Sequence, residues 1–210
     1  MPEPVDVILA IHRAFRNDME RIDAAAVNTA KGMQGLGATI ERFRFFNEIL
    51  VWHAKGEEAG VFPALEKYAP LVAEAYIADH HGLDMAFEEL RDAYAGGDVI
   101  RIARATAAFR FHLKMHLNKE DTHLYRIFRE RVPVTEQWDT ISVLTGMVPR
   151  ERFPDVIAWW FPLIGHDDRE KTTRIWQMRM PAPVFAGTKE LIKKTIGSDW
   201  AELTSRITGL

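Results

Sequence analysis

Apolar residues recur every three or four positions along most of the first 131 residues, the spacing of one face of an α-helix. The first stretch with this spacing begins after Pro4, and three more span about residues 39–67, 70–94 and 99–131. Short segments with glycine or proline separate them. The first stripe begins after Pro4 and comprises Val5, Ile8, His12, Phe15, Met19 and Ile22. The pattern therefore predicts four amphipathic helices.

Long amphipathic helices joined by short turns favour an all-α fold, an up-down-up-down four-helix bundle. Prolines punctuate the remainder of the chain, where we predict shorter helices at about residues 135–147, 151–164, 167–178, 184–196 and 198–208. We therefore expect a bundle domain of residues 1–132 and a C-terminal helical extension of residues 133–210.

The extension is rich in large aromatic residues, namely Trp159, Trp160, Phe161, Trp176 and Trp200. One interpretation is that these side chains bury the extension against the bundle. The other is that they form a surface for a protein partner or for a homodimer. The pattern is compatible with both.

The composition excludes several kinds of partner and of metal site. A net charge of −3 argues against a nucleic-acid partner. The sequence has no apolar run near eighteen residues and no apolar leader, so we expect a cytoplasmic protein that makes no membrane contact. Cysteine is absent, which excludes thiolate sites and iron–sulfur clusters. A metal site would have to use nitrogen and oxygen ligands.

The second and fourth predicted helices share one short pattern, a histidine followed four residues later by a glutamate. The pairs are His53 with Glu57 and His116 with Glu120. Residues four apart lie on one face of a helix, so each imidazole and carboxylate can converge on one point. Such donors suit iron, manganese or zinc. A single pair is more often a solvated contact, whereas two pairs predict a centre for two metal ions.

Other histidines fall on or near the buried stripes. His12 lies within the first stripe, where a histidine can also serve as a hydrogen-bonded core residue. In the third helix His80 falls on the apolar stripe and His81 about 100° away among polar residues, so we predict that His80 faces inward. His112 precedes His116 by one turn, and it could be a ligand, an outer contact or a core residue.

This ordered set resembles the hemerythrin-like family, in its histidine-histidine-glutamate cation-binding branch. That branch has a histidine on helices one and three and His-x-x-x-Glu on helices two and four. The pattern is met over roughly residues 4–131 by His12, His53 with Glu57, His80, and His116 with Glu120. The Glu57-Glu58 doublet and the following Phe62-Pro63 are also typical of the branch. The extension is similar to the helical segment after hemerythrin-like domains in some plant iron-sensing proteins.

The resemblance implies two iron ions bridged by Glu57, Glu120 and an oxo or hydroxo group. The terminal nitrogen donors it implies are His12, His53, His80 and His116, with His112 and Tyr125 as outer contacts. Oxygen carriers of the family have His-x-x-x-His on helix three, whereas this chain has Asp84 four residues after His80. The departure implies an open position on one iron, where a small oxidant could bind.

We therefore expect a di-iron protein that binds or reduces dioxygen, peroxide or nitric oxide. Such a protein could be an oxidoreductase, either similar to a peroxidase or catalase or reactive toward nitric oxide. The alternatives are an iron or oxygen sensor that acts through the extension, and iron storage. Manganese and zinc suit the same donors.

Overall fold

Four long helical rods carry the predicted stripes in the computed structural model, which describes residues 2–210. The first rod is α1 (Val5–Ala30), and the third is α4 (Val72–Gly96). The second rod consists of α2 (Leu36–Gly56), a first π-helical segment (Glu57–Val61) and α3 (Phe62–Tyr68). The fourth consists of α5 (Val99–Lys119), a second π-helical segment (Glu120–Leu124) and α6 (Tyr125–Arg131).

The extension is helical as predicted. Its helices are α7 (Val134–Gly146), α8 (Phe153–Trp160), α9 (His166–Arg179), α10 (Ala182–Ile196) and α11 (Trp200–Arg206). Because residues 2–210 contain no β-strand, the all-α prediction is confirmed. Across the same residues, no helix combines the length and the apolar character that crossing a bilayer requires.

The chain divides into two compact units. The first unit comprises residues 2–17 and 148–210, and the second comprises residues 18–147. The helix α1 contributes residues to both units, whereas α7 belongs entirely to the second. The domain boundary predicted at residue 132 remains a prediction about the family domain and is not a border between these units.

Neighbouring rods of the second unit run in opposite directions. On α4 and α5, Asp79 contacts Lys119 near one end, and Glu89 accepts a hydrogen bond of 3.0 Å from Arg101 near the other. Residue numbers therefore rise along α4 while they fall along the adjacent face of α5. This is the antiparallel order that short connections impose on a helical bundle.

Aromatic rings fill one level of the second unit. The ring of Phe43 on α2 lies 5.6 Å from that of Phe87 and 5.3 Å from that of Tyr94, both on α4. It also meets Phe109 of α5 edge-on at 6.1 Å. Phe43 precedes His53 on α2 by ten residues, or roughly 15 Å of helix. The aromatic layer therefore closes the bundle on one side of the level that holds the histidines.

Aromatic side chains also form the core of the first unit. Trp176 is buried, with the rings of Trp160 and Phe161 at 5.6 and 5.4 Å. The ring of Phe15 on α1 lies 5.4 Å from that of Trp159. Trp160 and Trp176 are therefore core residues, and a partner surface on the extension would have to use other side chains.

The glycine inside the second rod has a structural reason. The sequence is compatible with either a close neighbour or chance at Gly56. A Cβ atom built there would lie 2.8 Å from the Cα atom of Leu144 on α7, closer than real Cβ contacts. A Cβ atom on Gly60 would lie 3.2 Å from the carbonyl oxygen of Thr140. The close approach of α7 therefore explains both glycines.

We predict that Gly56→Ala lowers the free energy of unfolding by about 1–3 kcal/mol, because the new methyl group overpacks a backbone contact. The matched control is Gly82→Ala in α4, where a Cβ atom has no neighbour within 4 Å. That change should raise the free energy of unfolding by roughly 0.5–1 kcal/mol. Urea denaturation of the metal-free protein measures both. Equal effects at the two positions would contradict the role assigned to α7.

Candidate metal centre

The second and fourth rods repeat one spacing of buried residues. His53, Glu57, Phe62 and Leu65 on one rod correspond to His116, Glu120, Tyr125 and Phe128 on the other, in steps of four, five and three residues. A five-residue step in a regular α-helix would rotate the later side chain by about 140°. Here the π-helical turn, with its extra residue, absorbs that rotation. All eight side chains therefore stay on the buried face, at most 6% exposed.

The imidazoles and carboxylates of three rods converge. One ligand atom from each of Glu57, His80, His116 and Glu120 lies within 4.8 Å of the others. The Nε2 atom of His53 is 3.2 Å from Glu57 Oε1, and that of His116 is 3.2 Å from Glu120 Oε1. The Nε2 atom of His80 lies 3.5 Å from Glu57 Oε2 and 3.9 Å from Glu120 Oε1.

Five of the six residues named from the sequence therefore meet within the second unit. The sixth, His12, lies on the stretch of α1 that belongs to the first unit, and its side chain is fully buried. His80 is 5% exposed, whereas its neighbour His81 points to solvent. His112 and His123 are also exposed, and neither belongs to the converging group.

The chemistry of this cluster fits a metal ion. Glu57 and Glu120 have no exposed surface, and burying negative charge is costly unless a cation or hydrogen bonds compensate for it. The imidazoles supply nitrogen donors beside the carboxylate oxygens, the set that suits iron, manganese and zinc. A positive ion between the two glutamates would offset their mutual repulsion. The cluster is therefore a candidate metal centre.

Tyr125 supports one of the carboxylates. Its hydroxyl donates a hydrogen bond to Glu57 Oε1, and its side chain is fully buried. Burial, together with the charges of Glu57 and Glu120, raises the pKa of Tyr125 well above its ordinary value. The phenol therefore remains a hydrogen-bond donor at neutral pH and holds Glu57 in one orientation.

The partner of His80 is a residue that helical periodicity does not identify. The Nδ1 atom of His80 lies 2.8 Å from Glu58 Oε1, across two rods. Burial by itself would lower the pKa of His80, but the hydrogen bonds and charges of Glu57 and Glu58 outweigh it and raise the pKa above its usual value. The Glu57-Glu58 doublet was the available signal.

A small cavity adjoins the cluster. Its volume is about 80 Å³, room for only a few water-sized molecules. Its walls include the buried polar residues His53, Glu57, His80 and His116, the apolar residues Leu50, Leu83, Phe87, Phe109 and Leu117, and the exposed carboxylates of Glu58 and Asp84. The cavity therefore suits a diatomic molecule or a peroxide better than a larger organic substrate.

Comparison with known proteins agrees with this geometry. The family model of the hemerythrin HHE cation-binding domain matches residues 3–128, more than half of the chain. The zinc finger protein BRUTUS of Arabidopsis thaliana is 29% identical over 175 residues, which cover 80% of this chain and 14% of that protein. A BRUTUS-like zinc finger protein of the same plant is 21% identical over 202 residues, covering 87% of this chain and 16% of its own length. No solved structure matches the chain.

Two further facts follow from these matches. The chain spans only about one seventh of the length of these relatives. The similarity to these relatives also extends into the C-terminal extension. The matches cover 80% and 87% of the chain, which is more than residues 1–128 make up.

We predict that Tyr125→Phe lowers the free energy of unfolding of the metal-free protein by about 1.5–3 kcal/mol, because a buried carboxylate loses a hydrogen-bond donor. The control is Tyr68→Phe, which removes a 2.8 Å hydrogen bond to the carboxylate of Glu136 at the surface. That change should stay within about 0.5 kcal/mol. Thermal or chemical denaturation measures both, and a negligible effect at residue 125 would contradict the support assigned to Tyr125.

Proposed function

The chain belongs to the hemerythrin HHE cation-binding family, and on that premise we propose that its cluster holds two iron ions that react with a small oxidant. The candidate oxidants are dioxygen, peroxide and nitric oxide. Iron, when bound, supplies electron transfer to such a molecule. The observation that supports this proposal is the convergence of buried imidazoles and carboxylates beside a cavity of about 80 Å³.

We propose that Glu57 and Glu120 bridge the metal ions. The two oxygens of Glu57 face different histidines, with Oε1 3.2 Å from His53 and Oε2 3.5 Å from His80. A carboxylate placed in this way can bind one ion with each oxygen. The proposed terminal donors are His12, His53, His80 and His116, with His12 included on the strength of the family pattern.

The rest of the chain would control access and orientation. Leu50, Leu83 and Phe109 line the cavity and limit the size of the molecule that enters. Their apolar surfaces also keep bulk water away from the carboxylates. Tyr125 fixes the orientation of Glu57 by its hydrogen bond. These residues would favour a small neutral oxidant over a charged substrate.

The first experiment measures iron per purified chain, the visible absorption spectrum, and the rate of reaction with peroxide and with nitric oxide. We expect about two iron ions per chain and a reaction that the metal-free protein lacks. If metal-free protein reacted as fast as the iron-loaded protein, the proposed function would be wrong.

Matched variants locate the centre in the same experiment. Glu57→Ala, Glu120→Ala and His80→Ala should lose most of the bound iron, because each removes a buried ligand. His81→Ala and His123→Ala should retain it, because both side chains are exposed. Iron loss on changing His81 but not His80 would reverse the assignment on α4.

A sensor is the second candidate, and one contact favours it. The helix α7 packs directly against the π-helical segment that begins at Glu57, through the surfaces of Gly56 and Gly60. A shift of that segment on metal binding would therefore displace α7. In this case the extension, rather than a reaction product, would report that the metal is bound.

Limited proteolysis tests the sensor. It predicts that removal of iron exposes sites within residues 134–210 that the loaded protein protects. The control is the same digestion of Glu57→Ala with and without iron, which should give one pattern. Equal digestion of metal-free and iron-loaded wild-type protein would count against a sensor.

Iron storage is a third proposal, and it requires that bound iron shows no reaction with the oxidants. The cytoplasm remains the proposed location. A homodimer or another protein partner of the extension likewise remains a proposal, for which Met178 and Val184 offer exposed apolar surface.

A further inference from the structure

His80 differs from the histidines of the second and fourth rods. Those two histidines each have a glutamate four residues later on the same helix, Glu57 or Glu120, within 3.2 Å. The residue four positions after His80 is Asp84, which is exposed at the rim of the cavity. Asp84 therefore lies outside the buried cluster that includes Glu57 and Glu120.

The second rod supplies a carboxylate to the ring of His80. Glu58 Oε1 lies 2.8 Å from Nδ1 of His80, while the preceding residue, Glu57, places Oε2 3.5 Å from Nε2 of the same ring. The ring thus lies between two consecutive glutamates of the first π-helical segment. Because an ionised carboxylate only accepts hydrogen bonds, the contact with Glu58 places a proton on Nδ1, and Nε2 is the nitrogen that faces the cluster.

We propose that Glu58 is a positioning residue of the metal centre, which fixes the ring of His80 and the tautomer that leaves Nε2 available to a metal ion. The inference rests on the proposed metal centre. A carboxylate on the outer nitrogen of a ligating histidine orients the ring and increases its strength as a donor. Glu58 itself remains at the rim, with 46% of its side chain exposed.

His116 also faces a carboxylate of α4, that of Asp79. The Nδ1 atom of His116 lies 4.0 Å from Asp79 Oδ2, beyond hydrogen-bond distance. Asp79 instead contacts Lys119. We therefore expect Glu58, which is within hydrogen-bond distance of its histidine, to matter more for metal retention than Asp79.

The test compares three variants of the whole chain. Glu58→Ala removes the carboxylate, and Glu58→Gln keeps an amide oxygen that can still accept from Nδ1. Asp84→Asn is the control. It also removes a negative charge from the rim of the cavity, but the carboxylate of Asp84 is not the one that contacts His80. The metal-free proteins are compared at mildly alkaline pH by heteronuclear NMR of the imidazole nitrogens. Anaerobically loaded ferrous proteins are compared by the rate of iron release to an excess of chelator.

We expect the wild-type ring of His80 to carry its proton on Nδ1 and Glu58→Ala to lose this preference. Iron release from Glu58→Ala should be about tenfold to a hundredfold faster than from wild type. Glu58→Gln should fall between them, and Asp84→Asn should match wild type in both measurements.

Two results would overturn the inference. One is a His80 tautomer that does not change in Glu58→Ala, and the other is iron release from Glu58→Ala as slow as from Asp84→Asn. Failure of the metal centre itself is distinct, since wild-type protein would then bind no iron. The NMR comparison needs no metal and still decides whether Glu58 sets the tautomer.

Discussion

Two carboxylates buried side by side are the constraint on which the second unit depends. Glu57 and Glu120 have no exposed surface, and negative charges brought together away from water repel one another strongly. Imidazoles from three rods and the hydroxyl of Tyr125 surround these carboxylates. The negative charge of the two carboxylates therefore favours a bound cation. The surrounding helices keep the two carboxylates in place.

The π-helical segments are part of what keeps the carboxylates in place. Each begins at a glutamate and adds one residue to a turn, so that the apolar residues beyond it return to the buried face. π-helical turns are rare and occur frequently at functional sites. Beside the first segment, Gly56 and Gly60 let α7 approach the backbone closely. Site geometry and packing of the extension are therefore linked through one turn of backbone.

The helical order and the paired histidines and glutamates could be predicted from the sequence, because both depend on residues three or four apart on one helix. The inward orientation of His80 followed from the same periodicity, and the structure buries this residue while it exposes His81. Contacts between rods leave no such periodic signal. Helical periodicity therefore did not reveal that Glu58 pairs with His80 or that α7 packs on Gly56, although the Glu57-Glu58 doublet was visible in the sequence. The five-residue spacing from Glu57 to Phe62 is present in the sequence. It does not fit one face of a regular α-helix, and only the π-helical turn explains it.

The division into two units determines which truncated forms of the chain keep their packing contacts. The family match ends at residue 128, yet the first turns of α1 fold with the tail: Asn17 donates a hydrogen bond of 2.7 Å to the carbonyl of Leu163, and Lys171 pairs with Asp6 at 2.9 Å. A polypeptide trimmed to the matched residues would keep every proposed ligand. It would nevertheless leave the apolar side chains around His12 without the residues they pack against in their own unit. The residues matched by the family model are therefore fewer than the residues of the two compact units to which they belong.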